Sequence, residues 1–206
     1  MPRAYRLGQR EVASEQTRSR ILDAARELLV AADGFTAFSI DAIAKRADVA
    51  RMTVYHQFGS KIGLLEGLCD SLAANGGMEQ LADAFRHPDP WEALSIYIGI
   101  FGRFWTADRV VTRRLRALAA LDADFAQVIR GRDERRAHGL AVLVSRLVEV
   151  GILSDAARDM MINVLSALLS FEFFDMLAGA ERAPDDVAPE VRRLARAVVF
   201  APPTAE

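Results

Sequence analysis

The 206-residue sequence has little with which to staple or anchor itself. A single cysteine, Cys69, excludes an internal disulfide, and the three histidines (His56, His87, His138) lack metal-ligand spacing, so no metal and no cofactor is expected. Long apolar runs are missing too. The longest stretch without a charged residue, Met160 to Phe171, is 12 residues, short of the roughly 18–20 that a membrane-spanning helix needs. The first residues, MPRAYRLGQREVASEQTR, have no apolar segment of the kind a secretory signal requires. These absences predict a cytoplasmic protein without a membrane partner. Catalytic signatures are equally scarce: there is no Glu-x-x-His pair, no glycine-rich phosphate loop and no histidine beside a nucleophile, so no enzyme is expected.

What is present is an ordinary globular composition, 51% hydrophobic and 26% charged, enough for one long domain or two short ones. Its net charge of −2 hides an asymmetry. Through Leu65 there are 10 Lys and Arg against 7 Asp and Glu, and beyond it 16 against 21. A small basic module followed by a larger acidic one points to a polyanion partner for the first part only. Arg3, Arg6 and Arg10 fall in a stretch, residues 1–13, polar enough to read as a flexible arm.

Apolar periodicity predicts helices throughout and no alternating strand pattern, hence an all-α fold of about nine helices. Ser14 caps the first in this reading, with Ile21, Leu22, Ala25, Leu28 and Leu29 on one stripe and Gly34 as its end. Ser39 caps a second carrying Ile40, Ile43, Ala44 and Ala47. Asp48-Val49 links it to a third from Ala50 to Gln57, closed by Phe58 and Gly59, and Ser60 caps a fourth with Ile62, Leu64, Leu65 and Leu68. Further helical segments are predicted at about 78–86, 90–106, 109–120, 123–151, 155–178 and 189–200.

Two short helices joined by a tight turn form a helix-turn-helix pattern, whose second helix fits the major groove of DNA. Along Ala50–Gln57, Val54 with Val49 and Phe58 points inward, while Arg51, Met52, Tyr55 and His56 lie outward. The register Thr17-Arg18, Ile21-Leu22, Ala24-Ala25, Leu28, Gly34-Phe35, Ser39, Ile43-Ala44, Ala47, Val49, Thr53-Val54-Tyr55, Phe58, Ser60-Lys61 and Leu64 resembles the TetR family of bacterial transcriptional regulators.

The resemblance implies an N-terminal three-helix DNA-binding domain (residues 14–60) and a divergent helical domain (61–200) that binds a small-molecule effector and forms a homodimer, before a short tail (201–206). It also implies that Arg51, Met52, Tyr55 and His56 face base edges or sugars of a double-stranded DNA operator. Thr53 and Tyr55 touch phosphates, and Lys61 meets another at a helix N-terminus. Arginine binds guanine O6 and N7 as a fork, whereas a hydroxyl or ammonium on phosphate holds register without reading sequence. Two departures from the family pattern stand out: Ala50 is a poor N-cap, and Met52 either touches a thymine methyl or folds back on the protein. A helical adaptor that binds protein rather than DNA is the alternative.

In the second domain, Trp91, Tyr97, Phe101, Phe104 and Trp105 crowd one helix that is apolar nearly all round and hence buried. Such a set forms plain core or lines a small-molecule cavity. The resemblance favours the cavity, with His138 among the polar groups available to it. Arginines 130, 132, 135 and 136 read as a solvated face among nearby acids. Val164, Leu165 and Leu168 on one helix and Val191, Leu194 and Val198 on the last bury their stripes against the same pair from a second subunit, or else within their own chain.

Overall fold

The computed structural model describes residues 3–31 and 38–200. Among them are eleven α-helices and no strand. Helix α1 spans Arg3–Val30, beginning well before the expected cap at Ser14 and including most of the stretch expected as an arm. Polarity there does not oppose a helix, because Arg, Glu, Gln and Ala all have high helix propensity. Ser14 is therefore an interior residue, and its hydroxyl accepts instead from Gln57 Nε2 at 3.0 Å. Gly34 and Phe35, expected at the helix end, lie outside the described residues.

The chain divides into two units, one built from residues up to Ser71 with Arg113–Phe125, the other from Leu72–Thr112 and from Ala126 onward. This differs from a division after residue 60, since the first unit also takes most of α4 and a later segment. Its helices are α1, α2 (Ile40–Arg46), α3 (Arg51–Phe58) and the first part of α4 (Lys61–Asn75). Ile21, Ala25 and Leu29 from α1, Ile43 and Ala44 from α2, Val54 from α3, and Leu64, Leu65 and Leu68 from α4 are among its buried apolar side chains.

Local chemistry explains each junction. Ser39 Oγ accepts from the Ala42 N–H at 3.2 Å, the expected cap of α2. Asp48 follows with φ of 51°, the one left-handed non-glycine residue among those described. That turn lets the Val49 N–H reach the Ala44 carbonyl at 3.0 Å and redirects the chain into α3. Ser60 Oγ accepts from the Gly63 N–H at 2.9 Å and caps α4. Gly63 is also closely approached by backbone: a Cβ there would lie 2.1 Å from the Phe58 carbonyl oxygen.

The second unit is built round α6 (Pro90–Ala107), capped by Asp89 Oδ1, which accepts from the Glu92 N–H at 2.8 Å. Packed with it are α5 (Leu81–Arg86), α10 (Phe171–Ala178) and α11 (Ala188–Val199), and α9 (Arg158–Leu168) rests on α11. Helices α7 (Arg109–Leu121) and α8 (Ala123–Glu149) contribute residues to both units. A Cβ on Gly139 would lie 2.6 Å from the Tyr97 hydroxyl, so a larger residue there requires the Tyr97 ring or α8 itself to shift.

The single helix expected over 155–178 is broken into a 3-10 turn, α9 and α10, with a 48° bend. Ser170 causes the break: its backbone is extended (ψ 153°), and its hydroxyl accepts from the Phe173 N–H at 3.2 Å as an N-cap. The Leu169 carbonyl freed by the bend accepts instead from Trp105 Nε1 at 3.2 Å. Among the described residues no single helix is long and apolar enough to cross a membrane.

Candidate functional site

Helix α3 sorts its side chains by depth as its spacing requires. Val54 is buried, Thr53 and Tyr55 are half-buried, and Arg51, Met52 and His56 are exposed. Lys61, the first residue of α4, is exposed as well. Met52 is 71% exposed, which overturns the alternative that it folds back on the protein. Ala50 offers no side-chain cap to α3, as expected, and the Thr53 N–H donates to the Ala50 carbonyl at 2.8 Å. In general the N–H groups in the first turn of a helix favour an approaching anion.

The far end of α3 is held from α1. Arg18 Nη1 donates to the Gln57 carbonyl at 3.1 Å, and its Cζ lies 4.4 Å from the centre of the Phe58 ring. A guanidinium at a helix C-terminus meets both a carbonyl without an intrahelical partner and the negative end of the helix dipole. Arg18 stands in the family register, but its partner Gln57 is 39 residues away and nothing local points to it.

Within the exposed set, Arg51 and Tyr55 are brought into contact, and Asp41 joins them. Arg51 Nη1 lies 3.0 and 2.8 Å from the two oxygens of Asp41, and Nη2 donates to the Tyr55 hydroxyl at 3.3 Å. The Tyr55 hydrogen bond and the Asp41 charge both favour the protonated guanidinium and push its pKa further up. Asp41, at the second position of α2, was not singled out in the sequence. Its signal was weak, because an acid in the first turn of a helix is ordinary.

In the second unit the expected aromatic residues mostly assemble. Tyr97, Phe101, Phe104 and Trp105 form a chain of ring contacts with centroids 5.0 Å apart for Tyr97–Phe101 and 4.5 Å for Phe104–Trp105, extended by Phe85 and Phe171. Trp91 does not join them, packing at 5.4 Å against Phe200 with Arg196 over both rings. His138 is exposed on α8 and contributes nothing to the cluster. Polarity alone cannot tell an inward from an outward position on a long helix.

The polar group that does enter is Arg136, expected on a solvated face. Its side chain is 8% exposed, pairs with Asp133 at 2.7 Å, and puts Cζ 5.9 Å from the centres of both Phe101 and Trp105. The Tyr97 hydroxyl donates to the Arg136 carbonyl at 3.0 Å. Burial pushes that hydroxyl well above the ordinary phenol range, against the opposing charge of Arg136.

The six residues expected at a subunit interface separate in the same way. Leu165 and Val191 are fully buried within their own chain and are core side chains. Leu194 is exposed, and Val164, Leu168 and Val198 are half-buried. A stripe read at three- and four-residue spacing contains both the inner edge and the outer edge of a helix.

Residues 21–68 match the model of the bacterial regulatory proteins of the tetR family. The HTH-type transcriptional regulator AlkX of Mycobacterium tuberculosis is 36% identical over 63 residues, which are 31% of this chain and 29% of that protein. The chain thus matches less than a third of the length of that curated relative. Whole-chain likeness comes from solved structures. The TetR family transcriptional regulator PfmR of Thermus thermophilus superposes with a TM-score of 0.65 at 21% identity, covering 85% of this chain and 96% of that one. A TetR-like transcriptional regulator from a Rhodococcus species gives 0.68 at 22% identity, covering 90% and 97%. Residues 21–68, from within α1 to within α4, thus carry the segment typical of bacterial regulatory proteins of the tetR family, and the chain as a whole shares the all-helical fold of the solved regulators on which it superposes.

Proposed function

We propose that this chain is a homodimeric, sequence-specific repressor that a small apolar or aromatic effector releases from a pseudo-palindromic operator. The observation that carries the reading is the exposed face of α3, where Arg51, Met52 and His56 stand clear of a buried Val54. In this reading Arg51, Met52, Tyr55 and His56 meet base edges or sugars in the major groove. Thr53, Tyr55 and Lys61 hold phosphates and fix register.

Dimerisation rests on what α9 and α11 leave uncovered. Met160 is 57% and Leu194 41% exposed, beside half-buried Val164, Leu168 and Val198. A two-fold pairing of these faces makes a four-helix interface and sets the two recognition helices about 34–36 Å, or a multiple, apart. Effector binding rests on the aromatic chain Tyr97–Phe101–Trp105 with Arg136 as its charged member. An effector that prefers a conformation with wrongly spaced heads weakens operator binding by its differential affinity, and roughly 1–3 kcal/mol suffices.

The test is a fluorescence-anisotropy titration of the purified chain against DNA from its own upstream intergenic region and a scrambled control, across a salt series. A preference of about 10³ or more over the control is expected. The absence of any DNA binding overturns the reading.

A further inference from the structure

The Asp41–Arg51 contact lies where a carboxylate should be unwelcome. Arg51 opens α3, the helix proposed to enter the groove, and Asp41 lies in the first turn of α2 before it. Their side chains are 56% and 66% exposed, so the pair lies open to solvent. A carboxylate on a DNA-facing surface repels phosphates, whose charges recur about every 1.7 Å along the duplex axis. Asp41 is not needed as a cap, since Ser39 Oγ already serves the Ala42 N–H. Its carboxylate instead holds both oxygens on Arg51 Nη1.

The effect on Arg51 differs for the two things a guanidinium does at DNA. Attraction to phosphate depends on net charge, and a guanidinium 2.8 Å from a carboxylate forms a pair of nearly zero net charge. Hydrogen bonding to guanine O6 and N7 depends on direction, and a guanidinium has five donors. Two nitrogens are engaged by Asp41 and Tyr55, which fixes the plane of the group while N–H bonds remain for a base.

We propose that Asp41 is a specificity-determining positioning residue: by neutralising and orienting Arg51 it withholds that side chain from phosphates and leaves it to base edges. The carboxylate thereby lowers binding to any DNA more than binding to the right DNA, and the ratio between them rises. The inference rests on the reading of Arg51 as a base-contacting residue.

Its test uses the full-length chain and four variants: Asp41→Asn, Asp41→Glu, Arg51→Ala, and Asp41→Asn with Arg51→Ala. Each is titrated against a fixed duplex of arbitrary sequence, about three helical turns long, over a salt series, and each is used to select preferred sites from a randomised duplex library. Asp41→Asn keeps shape and removes charge. It is expected to bind the arbitrary duplex more tightly, with a salt slope steeper by about one for each chain bound. Its preference for the wild-type selected site over the arbitrary duplex falls about tenfold. Asp41→Glu retains the wild-type slope, and the double variant loses the added slope because no guanidinium is left to release.

An Asp41→Asn slope equal to wild type, or an added slope that persists without Arg51, overturns the proposal. Loss of base preference at one position per half-site in Arg51→Ala supports the reading it rests on. A selected site unchanged by Arg51→Ala overturns that reading separately, whatever the slope of Asp41→Asn.

Discussion

Arg18 on α1 donates to the Gln57 carbonyl at 3.1 Å and lies over the Phe58 ring, tying the first helix to the end of α3. The contact supplies a charge-assisted hydrogen bond to a helix C-terminus. Its loss in Arg18→Ala is expected to cost about 1–2 kcal/mol. Urea denaturation measures that cost. DNA affinity falls alongside it for all sequences equally, because α3 loses its anchor but none of its reading side chains.

Gly63→Ala is expected to be the most disruptive small change near Lys61. The added Cβ meets the Phe58 carbonyl at 2.1 Å, a backbone atom that cannot rotate away. Overpacking of this kind costs about 1–3 kcal/mol. A melting temperature equal to that of the unaltered chain would show that α4 shifts freely at its first turn.

The left-handed turn between α2 and α3 makes a prediction of opposite sign. Asp48 tolerates φ of 51° better than most residues, but glycine tolerates it best. Asp48→Gly is expected to leave stability equal or up to about 1 kcal/mol higher, whereas Asp48→Val loses about 1–2 kcal/mol. Urea midpoints of the two variants, read against the unaltered chain, give both signs in one experiment.

Arg136 and Asp133 are predicted to be unequal partners. Removing Asp133 strands a guanidinium that is 8% exposed, whereas removing Arg136 leaves a carboxylate that is 32% exposed and reaches water. Asp133→Ala is therefore expected to cost about 3 kcal/mol, and Arg136→Met distinctly less because its chain refills the aromatic site. Equal losses in chemical denaturation would mean that the aromatic faces of Phe101 and Trp105 do not make the environment of Arg136 apolar.

Tyr97 makes stability depend on alkaline pH. Burial raises its folded-state pKa above the unfolded value of about 10, so the neutral phenol favours folding. That contribution is fully present below about pH 10 and is lost as pH rises toward the folded value. Urea midpoints from about pH 9 to about pH 12 are expected to fall less steeply in Tyr97→Phe than in the unaltered chain.

Much of the first unit was legible because its signals are local. Ser39 and Ser60 cap where they were expected, and the inward Val54 and outward Arg51 follow from helical spacing alone. What escaped the sequence depends on partners far along the chain. Arg136 looked like its exposed neighbours until Tyr97 and Trp105, from a helix much earlier in the chain, enclosed it. Leu165 and Leu194 carry the same apolar label, but only packing tells which one the chain itself covers. The N-terminal stretch differs from expectation for another reason: its polarity predicts a flexible arm, although the same residues are good helix formers.

The most direct measurement is the DNA affinity of Arg51→Ala and Lys61→Ala against the preferred duplex and its single-base-pair variants, across a salt series. Arg51→Ala is expected to relax preference at one base pair per half-site, and Lys61→Ala to weaken every duplex alike while lowering the salt slope by about one. Unchanged affinity in both variants would contradict the assignment of α3 and the start of α4 to DNA.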